Sequence, residues 1–195
     1  DNVVIVSRGG WVKRQKDVKD LASTRLREGD AVLAAMAGST RATVVFFTNF
    51  GAAYTARVID VPASTGYGEP VQRLFKFKDT DRVIAAYSLD PRAIGDIGRA
   101  SGSDDEPATI ADADVPVRPV HAVAVSTDGY SLRFSLAGFA EPSTRSGRRY
   151  ARPGDGAEIV GVSVVTGDET VIAVTREARA MLCPVSEVNF LAGPG

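Results

Sequence analysis

One short pattern occurs four times in this chain and constrains its fold more than any other feature. It consists of an apolar arm, a Ser or Thr, two variable residues, a Gly or Ala, and a second arm. The four occurrences are NVVIVS-RG-GWVKR with Ser7 and Gly10, TVVFFT-NF-GAAYT with Thr48 and Gly51, HAVAVS-TD-GYSLR with Ser126 and Gly129, and TVIAVT-RE-ARAML with Thr175 and Ala178. Each predicts a β-hairpin. The first arms are β-branched and apolar, and the turn ends on a residue that enters the left-handed region without a steric penalty, Ala178 being the poor match. The turns are expected near 8 to 10, 49 to 51, 127 to 129 and 176 to 178. Trp11, Tyr54, Tyr130 and Met181 are expected to open equivalent second arms.

The connections repeat as well. Ser23-Thr24-Arg25 before Gly29-Asp30 and AVLAAM recurs as Ser143-Thr144-Arg145 before Gly154-Asp155 and EIVGV, and the second unit has Ser64-Thr65-Gly66, then Thr80-Asp81 and RVIAAY. A unit is thus a hairpin, a polar connection and another apolar strand, spaced as one blade of a propeller requires. The expected fold is all-β, a propeller-like array of antiparallel hairpin blades, about four of them, in a single domain over residues 1 to 195. A face-packed β-sandwich is the alternative, but it does not demand the same unit four times.

The gap between the second and third units holds SGSDDEPATIADADVPVR, which has neither helical nor strand periodicity. It predicts a flexible surface insertion near 92 to 117, or less directly an acidic mimic that competes with nucleic acid. Its five Asp/Glu against one Arg give it −4, so of the formal −1 the remainder carries +3. Residues 1 to 60 hold nine Lys/Arg against six Asp/Glu. The basic charge is therefore local.

Other classes of function lack their signals. No apolar run suits a membrane span and the N-terminus has no signal-peptide order, so a cytoplasmic protein without membrane association is expected. One cysteine, Cys183, and one histidine, His121, exclude the usual zinc sites and any internal disulfide, and both suit packing roles; no cofactor is expected. There is no G-x-x-x-x-G-K-[ST], H-E-x-x-H or G-x-S-x-G. No enzymatic site is expected in the chain itself.

The segments GGWVKRQKDVKDL, VVFFTNFGAAYTARVIDVP and STGYGEP resemble the blades of the C-terminal domain of the A subunit of DNA gyrase and topoisomerase IV, the type IIA topoisomerases. That resemblance implies a β-pinwheel that binds duplex DNA along its outer rim and bends it for ATP-dependent strand passage, in a nucleoid-associated enzyme. It places the ATPase in a partner subunit, and the catalytic tyrosine in the remainder of the A subunit. Tyr54, Tyr67, Tyr87, Tyr130 and Tyr150 match no catalytic context. Such domains commonly have five or six blades, so four units ending on Gly193-Pro194-Gly195, in the place Gly66-Tyr67-Gly68 holds earlier, suggest a fragment or a shortened form.

On this reading the phosphate contacts are Arg8, Lys13, Arg14 and Lys16 on the first hairpin, Arg25 and Arg27 after it, Arg133 on the third, and Arg145, Arg148, Arg149 and Arg152 in SGRRYAR. Gyrases carry a basic box, Gln-Arg-Arg-Gly-Gly-Lys-Gly, after the first such hairpin, and this chain has Ser23-Thr24-Arg25-Leu26-Arg27-Glu28-Gly29-Asp30 there. Bending without a complete wrap is the expectation that follows, with Arg145-Ser146-Gly147-Arg148-Arg149 a partial substitute. The net charge near zero also fits a propeller that binds another protein and no DNA.

Overall fold

The computed structural model describes residues 1–98 and 119–192. Most of the expected insertion, and the Gly193-Pro194-Gly195 end, lie outside these residues.

All four repeats fold as hairpins. The first unit gives β1 (Asn2–Ser7), β2 (Trp11–Gln15) and β3 (Val32–Gly38); the second gives β4 (Thr43–Thr48), β5 (Ala52–Arg57), β6 (Glu69–Pro70) and β7 (Val83–Ser88). A short helix, α1 (Pro91–Ile94), follows. The third unit gives β8 (His121–Ser126), β9 (Ser131–Ser135), β10 (Arg148–Arg149) and β11 (Ile159–Val165), and the fourth gives β12 (Thr170–Val174) and β13 (Ala180–Pro184). The strands form sheets in the orders β3-β1-β2-β6, β10-β5-β4-β7, β11-β8-β9 and β12-β13. In the first three, the apolar strand after the connection returns to flank the first arm of its own hairpin.

The Ser/Thr and Gly of the repeat act together at each turn. The N–H of Gly10, Gly51, Gly129 and Ala178 donates to the carbonyl of Ser7, Thr48, Ser126 and Thr175 at 3.0, 3.2, 3.0 and 3.1 Å. Their φ values are 81, 81, 86 and 58°, so the fourth turn holds an alanine in the left-handed region. The hydroxyls of Ser7, Thr48 and Thr175 accept from Trp11, Ala52 and Arg179 N–H. Thr48 also donates to the Ala52 carbonyl at 2.9 Å, as Ser126 does to the Tyr130 carbonyl at 3.1 Å, and Ser126 further meets the Asp128 carboxylate.

These bonds fix the register between blades and correct one expectation. Counted from the turn hydroxyl, Trp11, Ala52, Tyr130 and Arg179 are equivalent, while Tyr54 and Met181 fall two residues further on, with Lys13 and Leu132. Trp11, Tyr54, Tyr130 and Met181 accordingly do not share an environment: Tyr54 is 3% exposed, Tyr130 77% and Met181 53%. Side-chain size misled the alignment, because strand partners depend on backbone position and not on bulk.

The core lies in the seams between blades. Side chains alternate across a strand, so Val44 and Phe46 of β4 join Val4, Val6 and Val12 of the first blade, while Val45 and Phe47 join Ala122, Ala124 and Phe134 of the third. A third cluster joins Val123 and Val165 to Val185 and Val188. Burial on both faces explains the unbroken apolar runs of β1, β4 and β8.

Residues 92–98 belong to this fold. Asp90 caps α1 through the Arg92 N–H at 3.0 Å, and Ile94 and Ile97 pack on the second seam. The Val120 N–H donates to the Asp96 carbonyl at 2.7 Å, which joins the described residues on either side of 99–118.

Candidate nucleic-acid interface

The eleven cations expected to meet phosphate fall into three groups once placed on the blades. Lys13, Arg14 and Arg133 are committed to the protein. Lys13 is 1% exposed, and its ammonium donates to the carbonyls of Arg25 at 2.7 Å and Gly66 at 2.8 Å. Burial pulls its pKa down, and the Arg25 charge adds to this. It occupies the position that Tyr54 fills in the second blade, an inward place that the sequence presented as part of a basic run.

Arg14 and Arg133 are equivalent positions with equivalent roles. Arg14 donates to the Asn2 side chain at 3.0 Å and the Val61 carbonyl at 3.2 Å. Arg133 sits against His121 Nδ1 at 3.2 Å and over the Phe190 ring at 5.4 Å. Asn2 and His121 are themselves equivalent, each five residues before the turn hydroxyl. Both arginines thus tie a second arm to the start of its own hairpin.

The second group is exposed around the first hairpin: Arg8, Lys16, Arg25 and Arg27. Arg27 lies over the Trp11 ring at 4.7 Å. Asp30, in the stretch that replaces the glycine-rich box, accepts from the N–H groups of Gly9 and Ala31, each at 2.8 Å, and so anchors the connection to the turn. Burial pushes its carboxyl up, but these bonds, the Ser7 hydroxyl and the Arg27 charge together pull it below its usual value. The connection is held by a carboxylate where the box would offer free cations.

In the third group, Arg145, Arg148 and Arg149 gather on the outer edge of the second blade, and Arg152 lies past it beside Asp128 and Leu132 of the third. On the second blade β10 pairs with β5, Arg148 facing Ala53 and Arg149 facing Ala52. Arg148 curls back onto the carbonyls of Gly138 and Glu141 at 2.9 and 3.1 Å, while among the described residues Arg149 reaches only the Phe50 carbonyl, at 3.5 Å. The Lys76 N–H donates to the Arg145 carbonyl at 2.7 Å, which brings a connection of the second unit beside one of the third. Lys76, Lys78, Arg145, Arg149 and Arg152 are all exposed, and none forms an ion pair among the described residues. Tyr54 lies just inside this edge: burial and the Asp81 charge push its hydroxyl up, and Arg149 pulls it back.

Lys76 and Lys78 were not anticipated. Their signal is the contact between residues 76 and 145, which no local pattern in the sequence expresses. The corresponding edge of the first blade differs in charge. Its exchanged strand, β6, carries Glu69, and Arg73 pairs with that carboxylate at 3.4 Å.

No family model matches the chain. By sequence it is 25% identical over 198 residues to the A subunit of DNA gyrase from Aminobacterium colombiense, covering 96% of this chain and 21% of that protein. It is 26% identical over 204 residues to the same gyrase polypeptide of Streptomyces coelicolor, again covering 96% of this chain and 21% of that protein. Among solved structures it is similar to the E. coli ParC C-terminal domain, with a TM-score of 0.72 and 20% identity over 99% of this chain and 68% of that one. It is also similar to a C-terminal domain of DNA topoisomerase IV, with a TM-score of 0.77 and 16% identity over 99% of this chain and 54% of that one. The chain thus spans about a fifth of the length of these gyrase relatives. The resemblance carried by the repeats extends over nearly the whole chain, and the all-β, propeller-like fold is the one these structures share.

Proposed function

We propose that this chain, which resembles the C-terminal domain of the gyrase and topoisomerase IV A subunit, is a non-catalytic module that binds duplex DNA without reading its sequence and bends it. Its partners on this reading are duplex DNA, an ATPase-bearing subunit, and the remainder of the A polypeptide, in the cytoplasm at the nucleoid. The observation that carries the proposal is the group of exposed cations on the outer edge of the second blade, Lys76, Lys78, Arg145 and Arg149, with Arg152 beyond it beside the third. Exposed side chains of this kind attract phosphates by releasing counterions and supply no base discrimination. Arg8, Lys16, Arg25 and Arg27 extend the basic surface onto the first blade.

The test is duplex binding measured across a salt series. If about five phosphates are neutralised, log affinity against log salt falls with a slope of about −4.5. Replacing Arg145 and Arg149 together by alanine is expected to flatten that slope by about 2 for every sequence alike. Absence of binding at low salt would overturn the proposal and leave a protein-binding propeller as the reading.

A further inference from the structure

The connections after the first three hairpins keep one register, fixed by hydrogen bonds at two places. The N–H after each turn hydroxyl, of Arg8, Asn49 and Thr127, donates to the carbonyls of Ala31, Arg82 and Glu158 at 2.8, 3.2 and 2.8 Å. Just before, the N–H groups of Asp30, Asp81 and Ala157 donate to the carbonyls of Arg27, Lys78 and Gly154, each at 3.0 Å. Arg25, Lys76 and Arg152 are therefore equivalent positions, and so are Arg27, Lys78 and Gly154. The first two blades present a pair of exposed cations there, and the third a single one.

The two pairs are held alike from beneath. The Lys13 ammonium donates to the Arg25 carbonyl at 2.7 Å, and the Tyr54 hydroxyl, from the equivalent arm position, to the Lys76 carbonyl at 3.4 Å. The residue between the cations, Leu26 or Phe77, is half-buried, and the Phe77 ring lies 4.7 Å from that of Tyr54. The backbone thus offers both pairs in the same way.

The side chains differ at one point. The residue whose N–H meets the turn hydroxyl is Trp11 on the first blade, Ala52 on the second and Tyr130 on the third, so only the first joins an aromatic ring there to a cation at the second place of the pair. The Arg27 guanidinium lies over that ring, 4.7 Å from its centroid. Asp30 is near enough for the Arg27 charge to pull its carboxyl down. Yet among the described residues Arg27 forms no ion pair, and no group takes up its guanidinium N–H donors. Arg14, Arg92 and Arg148 by contrast direct theirs into the protein. A guanidinium stacked on a ring keeps its donors in its own plane, where they remain able to meet a phosphate bidentately.

We propose that Trp11 is the positioning residue of a phosphate site on the first blade, holding Arg27 flat, with its donors free, beside Arg25. The inference rests on the DNA-binding reading and adds to it a second paired-cation site, the counterpart of Lys76 and Lys78. Trp11 acts through Arg27 and need not touch the duplex. Without the ring, Arg27 is drawn toward Asp30, and its rotamers have to be ordered when phosphate binds.

The test titrates a mixed-sequence duplex against the whole chain across a salt series, in the parent and in Trp11→Leu, Trp11→Phe, Arg27→Gln and the Trp11→Leu/Arg27→Gln double variant. Trp11→Leu and Arg27→Gln are each expected to weaken binding about threefold and to flatten the slope of log affinity against log salt by about 1. Trp11→Phe, which keeps a ring, is expected to retain most of the parent's affinity, and the double variant to bind no more weakly than Arg27→Gln alone. Trp11 is the chain's single tryptophan, so its emission reports on the site directly. It is expected to change in step with duplex binding in the parent, and far less in Arg27→Gln. A parental slope in Trp11→Leu, additive losses in the double variant, or unchanged parental emission at saturating duplex would each overturn the proposal. The emission decides the matter even where Trp11→Leu does not fold. Absence of binding by the parent at low salt would overturn the proposed function together with this site, whereas parental binding that these variants leave untouched overturns this site alone.

Discussion

Lys13 shows at the level of single residues that a basic letter in the sequence is not a basic surface. Lys13 lies in the run WVKRQK, yet its position two residues past the start of an inward arm turns it toward two carbonyls. Replacing it with methionine orphans both acceptors, and the expected loss is about 1–3 kcal/mol in denaturant unfolding, with an unchanged salt slope of DNA binding. A flattened slope would return Lys13 to the phosphate contacts. Glu169 offers a pH test. Burial pushes its carboxyl up, but the Thr166 and Gly167 N–H groups and the Thr166 hydroxyl outweigh it and hold the pKa at about 2. A folded pKa below the unfolded value stabilises the protein above about pH 4 and ceases to do so as pH falls toward the folded value. Glu169→Gln is therefore expected to lower Tm near neutrality and to match the parent near pH 2. The group is exposed, so the difference should stay below about 1 kcal/mol.

At the level of elements, the four hairpins and their turns were legible because each local signal agreed with the others: β-branched arms, a hydroxyl at the turn entry, and a residue able to take positive φ at its exit. The exchanged strands were not legible. Glu69–Pro70 and Arg148–Arg149 are two residues each, too short for periodicity, and their partners lie in the preceding unit. For the same reason the charge difference between the two blade edges emerged only from the pairing. The sheets also differ in completeness. The central arms β1 and β4 have partners on both sides and lie under apolar seams, whereas β12 and β13 pair only with each other among the described residues and expose Ile172, Val174, Met181 and Leu182. Hydrogen exchange should accordingly be slowest in β1 and β4 and fast in β12 and β13, close to the rate of local fraying. Equal protection of the fourth hairpin would contradict its two-stranded state.

For the whole molecule, the consequence of the missing box concerns DNA shape. Asp30 anchors the connection after the first hairpin, and the exposed candidate cations lie around that hairpin and on the outer edge of the second blade. A short arc of contact bends a duplex without enclosing it. A nicked circle ligated in the presence of the chain and then stripped of protein should retain little superhelicity. Strong trapping of one hand would mean that the exposed arginines replace the box. The core in the seams carries a further consequence, for mechanics. Every blade is one wall of its neighbour's interior, so no blade can be pulled away without opening a seam. Tension applied at the C-terminal end would meet the small seam of Val123, Val165, Val185 and Val188 first, and only then the aromatic seam around Phe47, Phe134 and Tyr150. The described seams should therefore open in order under load, the small one before the aromatic one.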